Sequence, residues 1–400
     1  MRLIILVLFI FSAAICAQNH IPFDPNSTYY SRSGQTVGFQ IAPPMEKVNA
    51  LGYKNLPYRT AAVDPKQILP GSVIFIPALI GQQLPDGTYH DGYLFAHDVL
   101  PAGTHGLIVY GKKRALLKDS PVYVVYGVMA KTMRLRFNLQ YRTKKEKMTF
   151  NMVADDLTRL MKYGQGIVDI SKRIQFYSAR GKGTPYLIFN LGEGAAAATD
   201  PDPTIDFAHV DCMTFCENTL ALSISDNYRQ MYANLQHIRY KDGAIRYTSR
   251  NHYTLADWLP NNSWLLEDAT DIIGGKYIRK MTKVIDHHAF FKKNHVPDSA
   301  LVKMPPETLN VDYIPTAALL KINDRLKGGE IVSIVSTFPG IVSAHMGIIV
   351  RDRWNNLIFR HAASSQNTGE VMDIRFSDYV NKLQQSKTRV GMIFMRVKGI

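Results

Sequence analysis

Over roughly the first 126 positions the apolar residues come in short bursts, "SVIFIPALI", "GYLFAHDVL", "HGLIVYG" and "PVYVVYGV", each closed by Gly, Pro or Asp. Strand-length runs with turn punctuation predict a small β domain. From Lys131 to Lys147, "KTMRLRFNLQYRTKKEK" alternates apolar and charged residues and then turns wholly polar. This predicts an edge strand running into a solvated connector, with a recognition arm as the alternative. The next stretch, "MTFNMVADDLTRLMKYGQGIVDISKRIQFY", has apolar residues at helical spacing, with Asp155 and Asp156 early and basic residues behind, as the helix dipole favours. Helical or loop-like segments follow, among them "DNYRQMYANLQHIRYKDG" and "TAALLKINDRL"; strand-like ones come last, "EIVSIVST", "HMGIIVRD", "NLIFRHAASS" and "VGMIFMRV". Helices first and an antiparallel sheet afterwards predict an α+β domain.

The chain starts with "MRLIILVLFIFSAAICAQ", one Arg, an apolar run too short for a comfortable membrane span, and small residues. This is the layout of a secretory signal peptide over residues 1–17, cleaved after Ala14 or Ala17. Ile15 before Cys16 suits a lipoprotein signal poorly. The expected organisation is therefore a leader at 1–17, a β domain at 18–125, a connector at 126–160 and the larger domain at 161–400, in a protein exported to the periplasm or beyond. With 400 residues, 46% of them hydrophobic, the chain can fill more than one core. A net charge of +14 attracts anionic partners. For an exported protein these are cell-wall polymer or a membrane surface rather than nucleic acid, although a basic balance also fits a protein with no such partner.

Among three cysteines, two fall four residues apart in "VDCMTFCENTLAL". If this segment is a helix, Asp211 is its N-cap and Cys212 lies in the first turn, where the dipole and free N–H groups stabilise a thiolate. Cys216, one turn on among Phe215, Leu220 and Leu222, reads as a small core residue. A disulfide between them strains its geometry. A nucleophilic cysteine needs a base and a group to orient it. His345 in "AHMGIIV" and His361 in "FRHAASS" meet that need if their strands are antiparallel neighbours joined at "RDRWNN". No His is followed by Glu, which excludes HExxH, and the neighbours in "DHHAFF" point apart, so neither metal nor other cofactor is expected.

The blocks "GTPYLIFNLGEG", "VDCMTFCENTLAL", "GGEIVSI", "AHMGIIV" and "FRHAASS" occur in the order of the NlpC-type, papain-like cell-wall hydrolases, and the chain resembles that family. With "HIRYKDG", "SRNHYTLADWLPNN" and "YIPTAAL" it is most similar to papain-fold N-acetylmuramoyl-L-alanine amidases, over roughly Ile167 to Val397. The resemblance implies Cys212 as nucleophile, His345 as general base and His361 as the orienting third member. It places Tyr186 and Asp211 beside the centre, and Arg250, His252, Tyr253 and Trp258 along a muropeptide cleft. Arg can pair with a peptide carboxylate. Departures are Cys216 at a usually β-branched position, Glu330 where Asp is usual, and Ser343 and Ala344 without an acidic neighbour. The alternatives are a γ-D-glutamyl-diaminopimelate endopeptidase using the same triad and a non-catalytic wall-binding protein.

The segments "YRTAAVDPKQILPGSVIFIP" and "HDGYLFAHDVLPAGTHGLIVYG" resemble the three-Asp domain, a double-psi β-barrel of membrane-bound lytic transglycosylase A and related wall proteins. Asp64 and Asp98 match two of its acids. The third, catalytic acid is replaced by Ile108, which can neither give nor take a proton. The resemblance thus implies a glycan-holding or structural barrel, with His105 and Asp98 as the remote substitutes for the missing acid.

Overall fold

The computed structural model describes residues 35–44, 49–51, 53–111, 115–137, 148–297, 305–364 and 366–398. The expected leader, with Cys16, lies outside the described residues. The first unit is a closed six-stranded barrel. Its strands are β1 (Gln35–Ala42), β2 (Thr60–Val63), β3 (Val73–Phe75), β4 (Tyr93–Val99), β5 (Leu107–Tyr110) and β6 (Ala115–Val125). Around the barrel they run β1-β5-β2-β4-β3-β6, and β6 closes on β1. The β1/β5 and β2/β4 pairs are parallel; the others are antiparallel. Period-two alternation sends Ala61, Val63, Ile74, Leu94 and Ala96 into the barrel core. The intervening Val73, Phe75, Tyr93 and Phe95 face outwards and are buried all the same.

What covers them corrects the reading of the connector. The chain leaves β6 through Gly127, at φ 64°, a conformation that costs Gly little, and forms a helix, α1 (Gly127–Arg136), where an edge strand was expected. Met129, Met133 and Phe137 recur every fourth residue, and this stripe packs on the outer face of β3 and β4. Burial of that stripe outweighs the local alternation that suggested a strand. Residues 138–147 lie outside the described residues.

The second unit is mixed α+β, as expected. Its longer helices are α2 (Ala154–Gln165), α3 (Ile170–Arg180), α4 (Cys212–Ser223), α5 (Tyr228–Arg239), α6 (His287–Lys293) and α7 (Phe376–Leu383). Asp169, Asp211, Asn227 and Asp286 cap α3, α4, α5 and α6 by accepting first-turn N–H groups. The expected boundary at 160/161 falls inside α2, whose Leu157 and Met161 share one core with Tyr177, Phe215 and Cys216. The sheet runs β13 (Val371–Arg375), β12 (Leu357–Ala362), β11 (Ser343–Arg351), β10 (Ile331–Ser336), β14 (Arg389–Val397), β9 (Glu307–Pro315), β8 (Arg279–Ile285), with β7 (Leu266–Asp268) on β14. "TAALLKINDRL" forms a 3-10 helical run, Thr316–Arg325.

α4 packs on β11 as the central helix of this unit, and every residue from Thr214 to Ser223 is buried. A helix buried all round must satisfy its polar side chains internally. Glu217 accepts from Arg239 Nη1 at 2.9 Å and from Trp258 Nε1 at 3.1 Å, while Thr219 and Ser223 bond back to the carbonyls of Phe215 and Thr219. The barrel is docked on the far edge of the sheet. Tyr126 Oη donates to Asp378 Oδ2 at 2.7 Å under the ammonium of Lys382, Asn356 Nδ2 donates to Pro65 O at 2.9 Å, and Lys131 Nζ donates to Thr368 O at 3.2 Å. No helix among the described residues is long and apolar enough to cross a membrane.

Candidate active site

Cys212 is the first residue of α4 because Asp211 stops the chain there. Asp211 Oδ1 accepts from the N–H groups of Met213 and Thr214, and Thr214 Oγ1 accepts from Asp211 N at 2.8 Å, a reciprocal capping box. Cys212 is half-buried, Cys216 is wholly buried, and both are free thiols. Burial opposes the stabilisation of a thiolate expected at this helix terminus. Burial first, and the Asp211 carboxylate second, push the Cys212 thiol up to about 12; the N–H groups of Met346, Cys212 and Met213 pull the other way and lose. Desolvation here outweighs the helix dipole.

The two histidines come together as their strands require. β11 and β12 are antiparallel, with Ile348 opposite Arg360 and Ile349 opposite Phe359. His345 Nε2 and His361 Nδ1 are 2.8 Å apart, their rings at right angles. Burial, with Arg389 adding its charge, holds His345 down to about 3. His361 is held well below its usual range by burial, then by His345 and Lys382. Two imidazoles so placed are both neutral, and one proton lies between them. A side chain on Gly347 would meet the Phe359 ring at 2.5 Å. Glycine there lets Phe359 stack on His361, with centroids 4.9 Å apart, while Tyr379 packs against both rings, 5.4 Å from His361 and 4.3 Å from Phe359.

Tyr186 runs beside Val210, two residues before Cys212, and donates its N–H to Gly369 O at 2.8 Å. Burial and the nearby Cys212 and Asp211 raise its phenol to about 12, so it stays a donor. Of the remaining expected cleft residues, Trp258 and Arg250 are engaged elsewhere. Trp258 is fully buried in the core and donates to Glu217, so it lines no cleft. Arg250 is not free for a peptide carboxylate: Nε donates to Glu193 Oε1 at 2.7 Å and Nη2 to Asp200 Oδ2 at 2.8 Å, tying the 193–200 loop down. His252 donates Nε2–H to Tyr247 O at 2.8 Å, and burial lowers it to about 4. Tyr253 is half-buried and packs edge-on against His287 and Phe290; His287 Nε2 is in turn 2.6 Å from Asp257 Oδ1.

In the barrel, Asp98 Oδ1 accepts from the N–H groups of Ala50 and Val99 and Oδ2 from Tyr110 Oη at 2.5 Å. Asp64 accepts from Lys66 N and meets His105 Nδ1 at 3.1 Å. Ala62 has Asp98 opposite it on one side and Ile108 on the other, and Ile108 packs with Ala62, Leu100 and Tyr110. Among the described residues no group of three or more His, Cys, Asp or Glu gathers to hold a metal. Phe359 and Tyr379 around His361 were missed by sequence reasoning. Phe359 was accessible, since it shares a strand face with His361 at i, i+2; Tyr379 comes from α7 and left no such trace.

A cysteine heading a buried helix, over a sheet that presents paired imidazoles, invites comparison with known proteins. A family model described as AmiA-like, N-acetylmuramoyl-L-alanine amidase-like, matches residues 176–388. The chain belongs to this amidase-like family. That span contains Cys212, His345, His361 and Tyr186, and leaves the barrel outside. Among solved structures, a Legionella pneumophila protein of the family model DUF1460 is 26% identical over 61% of this chain and 94% of its own, with a TM-score of 0.54. An N-acetylmuramoyl-L-alanine amidase from Bacteroides uniformis is 26% identical over 57% of this chain and 99% of its own, with a TM-score of 0.46. No curated protein matches. In the amidase-like unit, then, the paired histidines and the helix-opening cysteine lie within the family's matched span.

Proposed function

We propose that the amidase-like unit is a papain-like, NlpC-type cysteine N-acetylmuramoyl-L-alanine amidase that cleaves the bond between muramic acid and L-Ala in peptidoglycan fragments. The observation that carries this is the 2.8 Å contact between His345 Nε2 and His361 Nδ1 beside the helix that Cys212 opens. For His345 to act as a base through Nδ1, its proton must sit on Nε2 and be donated to His361 Nδ1; His361 thereby selects the tautomer. In the first step the Cys212 thiol proton passes to His345 Nδ1 as Sγ attacks the lactyl carbonyl carbon. A thiol at about 12 and an imidazole at about 3 make this a concerted general-base step rather than attack by a standing thiolate. The oxyanion is held by the Cys212 N–H with a neighbouring donor such as Tyr186. His345 then protonates the departing alanine nitrogen, the C–N bond breaks, and water activated by His345 hydrolyses the thioester to the muramoyl acid.

On this reading the protein is exported, and the barrel is a three-Asp, double-psi domain that holds glycan or serves structure. Support comes from its closed six-stranded order with two parallel pairs, and from Ile108 at the position of the proton donor. Mass spectrometry of defined muropeptides after digestion tests the amidase reading. The expected products are the muramoyl acid and a stem peptide beginning at L-Ala. A stem beginning at diaminopimelate would instead make the enzyme an endopeptidase.

A further inference from the structure

The segment Tyr186-Leu187-Ile188-Phe189 combines exposure with constraint. Leu187, Ile188 and Phe189 are 47%, 55% and 72% exposed, three consecutive large apolar side chains facing solvent. Phe189 also has φ 56°, in the left-handed region that a bulky non-glycine residue adopts only at an energetic cost. That backbone is not loose. Leu187 N donates to Val210 O at 3.0 Å, and the buried Asn190 donates Nδ2–H to His209 O at 2.8 Å. Asn190 Oδ1 accepts from Thr214 Oγ1, the hydroxyl that also completes the Asp211 capping box. An exposed aromatic ring is thus clamped, in a strained conformation, to the turn that presents Cys212. Strain of this kind persists where the surrounding structure over-determines it, which is typical of ligand clamps.

The end of the sheet that carries His345 has different chemistry. His345 lies opposite Ile334 and Ile334 opposite Met392, so β14 shares this end of the sheet; three residues before Met392, at the strand's entrance, stands Arg389. Arg389 is exposed, and among the described residues no carboxylate pairs with it. Its charge reaches both imidazoles. Tyr186 to Leu191 carries no charge at all. The segment tied to the Cys212 turn is therefore apolar and aromatic, and the sheet end beyond His345 carries a cation.

We propose that Phe189, with Leu187 beside it, is a specificity-determining platform for the sugar ring on the acyl side of the scissile bond, while Arg389 receives a carboxylate of the stem peptide. The inference rests on the amidase reading and assigns the polarity of its cleft. A sugar ring presents C–H groups to an aromatic face and has no charge to lose there; an anionic stem gains nothing from such a wall and is attracted to the guanidinium.

Two substrates with one stem separate the walls: an N-acetylmuramoyl-L-alanyl peptide, and the corresponding D-lactoyl-L-alanyl peptide, which keeps the scissile amide and lacks the sugar. Phe189→Ala lowers kcat/KM roughly five- to tenfold on the first and leaves the second unchanged, and Phe189→Trp restores the loss. Arg389→Gln lowers both alike, and added salt narrows its difference from wild type. Equal losses on both substrates for Phe189→Ala, or none on either, overturn the sugar assignment, and a loss for Arg389→Gln confined to the sugar-bearing substrate overturns the polarity. Melting temperature checks that each variant is folded. Wild-type release of an L-Ala-headed stem tests the amidase reading separately, so the two failures cannot be confused.

Discussion

The barrel and the amidase-like unit each gather proton-bearing side chains at the end of a β-structure, and they treat them in opposite ways. In the barrel, Asp98 has both oxygens occupied by Ala50, Val99 and Tyr110, Asp64 is held by Lys66 and His105, and Ile108 packs among apolar neighbours. In the amidase-like unit, the His345–His361 contact uses one nitrogen of each ring. Carboxylates whose acceptor sites are spent on backbone N–H groups stabilise a loop; a neutral imidazole with a nitrogen to spare moves a proton. The difference lies in what remains unspent after folding.

The largest effect that can break this comparison comes from removing the acting group on each side. Cys212→Ala is expected to lower amidase turnover by roughly 10⁴-fold or more, as loss of a covalent nucleophile does, without a change in melting temperature. The double variant Asp64→Asn, Asp98→Asn is expected to leave turnover on a soluble muropeptide unchanged. Comparable turnover in Cys212→Ala and wild type would remove the nucleophile from the account. Loss of turnover in the barrel variant, with its fold intact, would mean that the barrel takes part in the reaction.

The pH dependence sharpens the same contrast. His345 is a competent base whenever it is unprotonated, and its value of about 3 keeps it so far below the ordinary 6.5. The acid limb of kcat/KM should therefore fall well below pH 6.5, where a thiolate–imidazolium pair would require a protonated His345. Stability runs against this. His90 in the barrel and His252 in the amidase-like unit are held down to about 4 by burial, and His345 to about 3, all below their unfolded value. As pH falls through 6.5 the unfolded chain takes up these protons first, so stability is full above 6.5 and is lost progressively down through about 4 and about 3. Initial rates set beside melting temperatures, measured in steps from pH 7.5 to 4, separate the two. An acid limb near 6.5 in still-folded protein would contradict the neutral pair.

Much of this was legible in the chain because the relevant signals are local. Asp211 before Cys212 is a cap at sequence distance one, and the strand-length runs "HMGIIV" and "FRHAASS" on either side of "RDRWNN" point to a hairpin and so to the meeting of His345 and His361. What failed depended on partners far away in sequence. Arg250 looked available because Glu193 and Asp200 stand 57 and 50 residues before it. Trp258 looked like a cleft aromatic because its acceptor, Glu217, lies a helix away. The dipole at Cys212 can be read from the cap, but desolvation depends on tertiary packing, and it pushes the thiol up. In "GVMAKTMRLRF" two patterns compete, and the four-residue stripe of Met129, Met133 and Phe137 won because β3 and β4 offered an uncovered apolar face.

The smallest effect bears on the barrel itself. In Asp98→Asn the side chain keeps one acceptor oxygen, so either the pair of backbone N–H groups or the Tyr110 hydroxyl loses the carboxylate oxygen it donates to. An unmet buried donor costs about 1–3 kcal/mol, and only part of this is recovered by rotating the amide. The variant should therefore melt earlier, with peptidoglycan binding in a sedimentation assay unchanged once allowance is made for the unfolded fraction. The opposite pattern, an unaltered melting temperature with binding lost, would show that the Asp98 carboxylate is spent on glycan rather than on Ala50, Val99 and Tyr110. It would place a second working site in the barrel and erase the contrast between the two units.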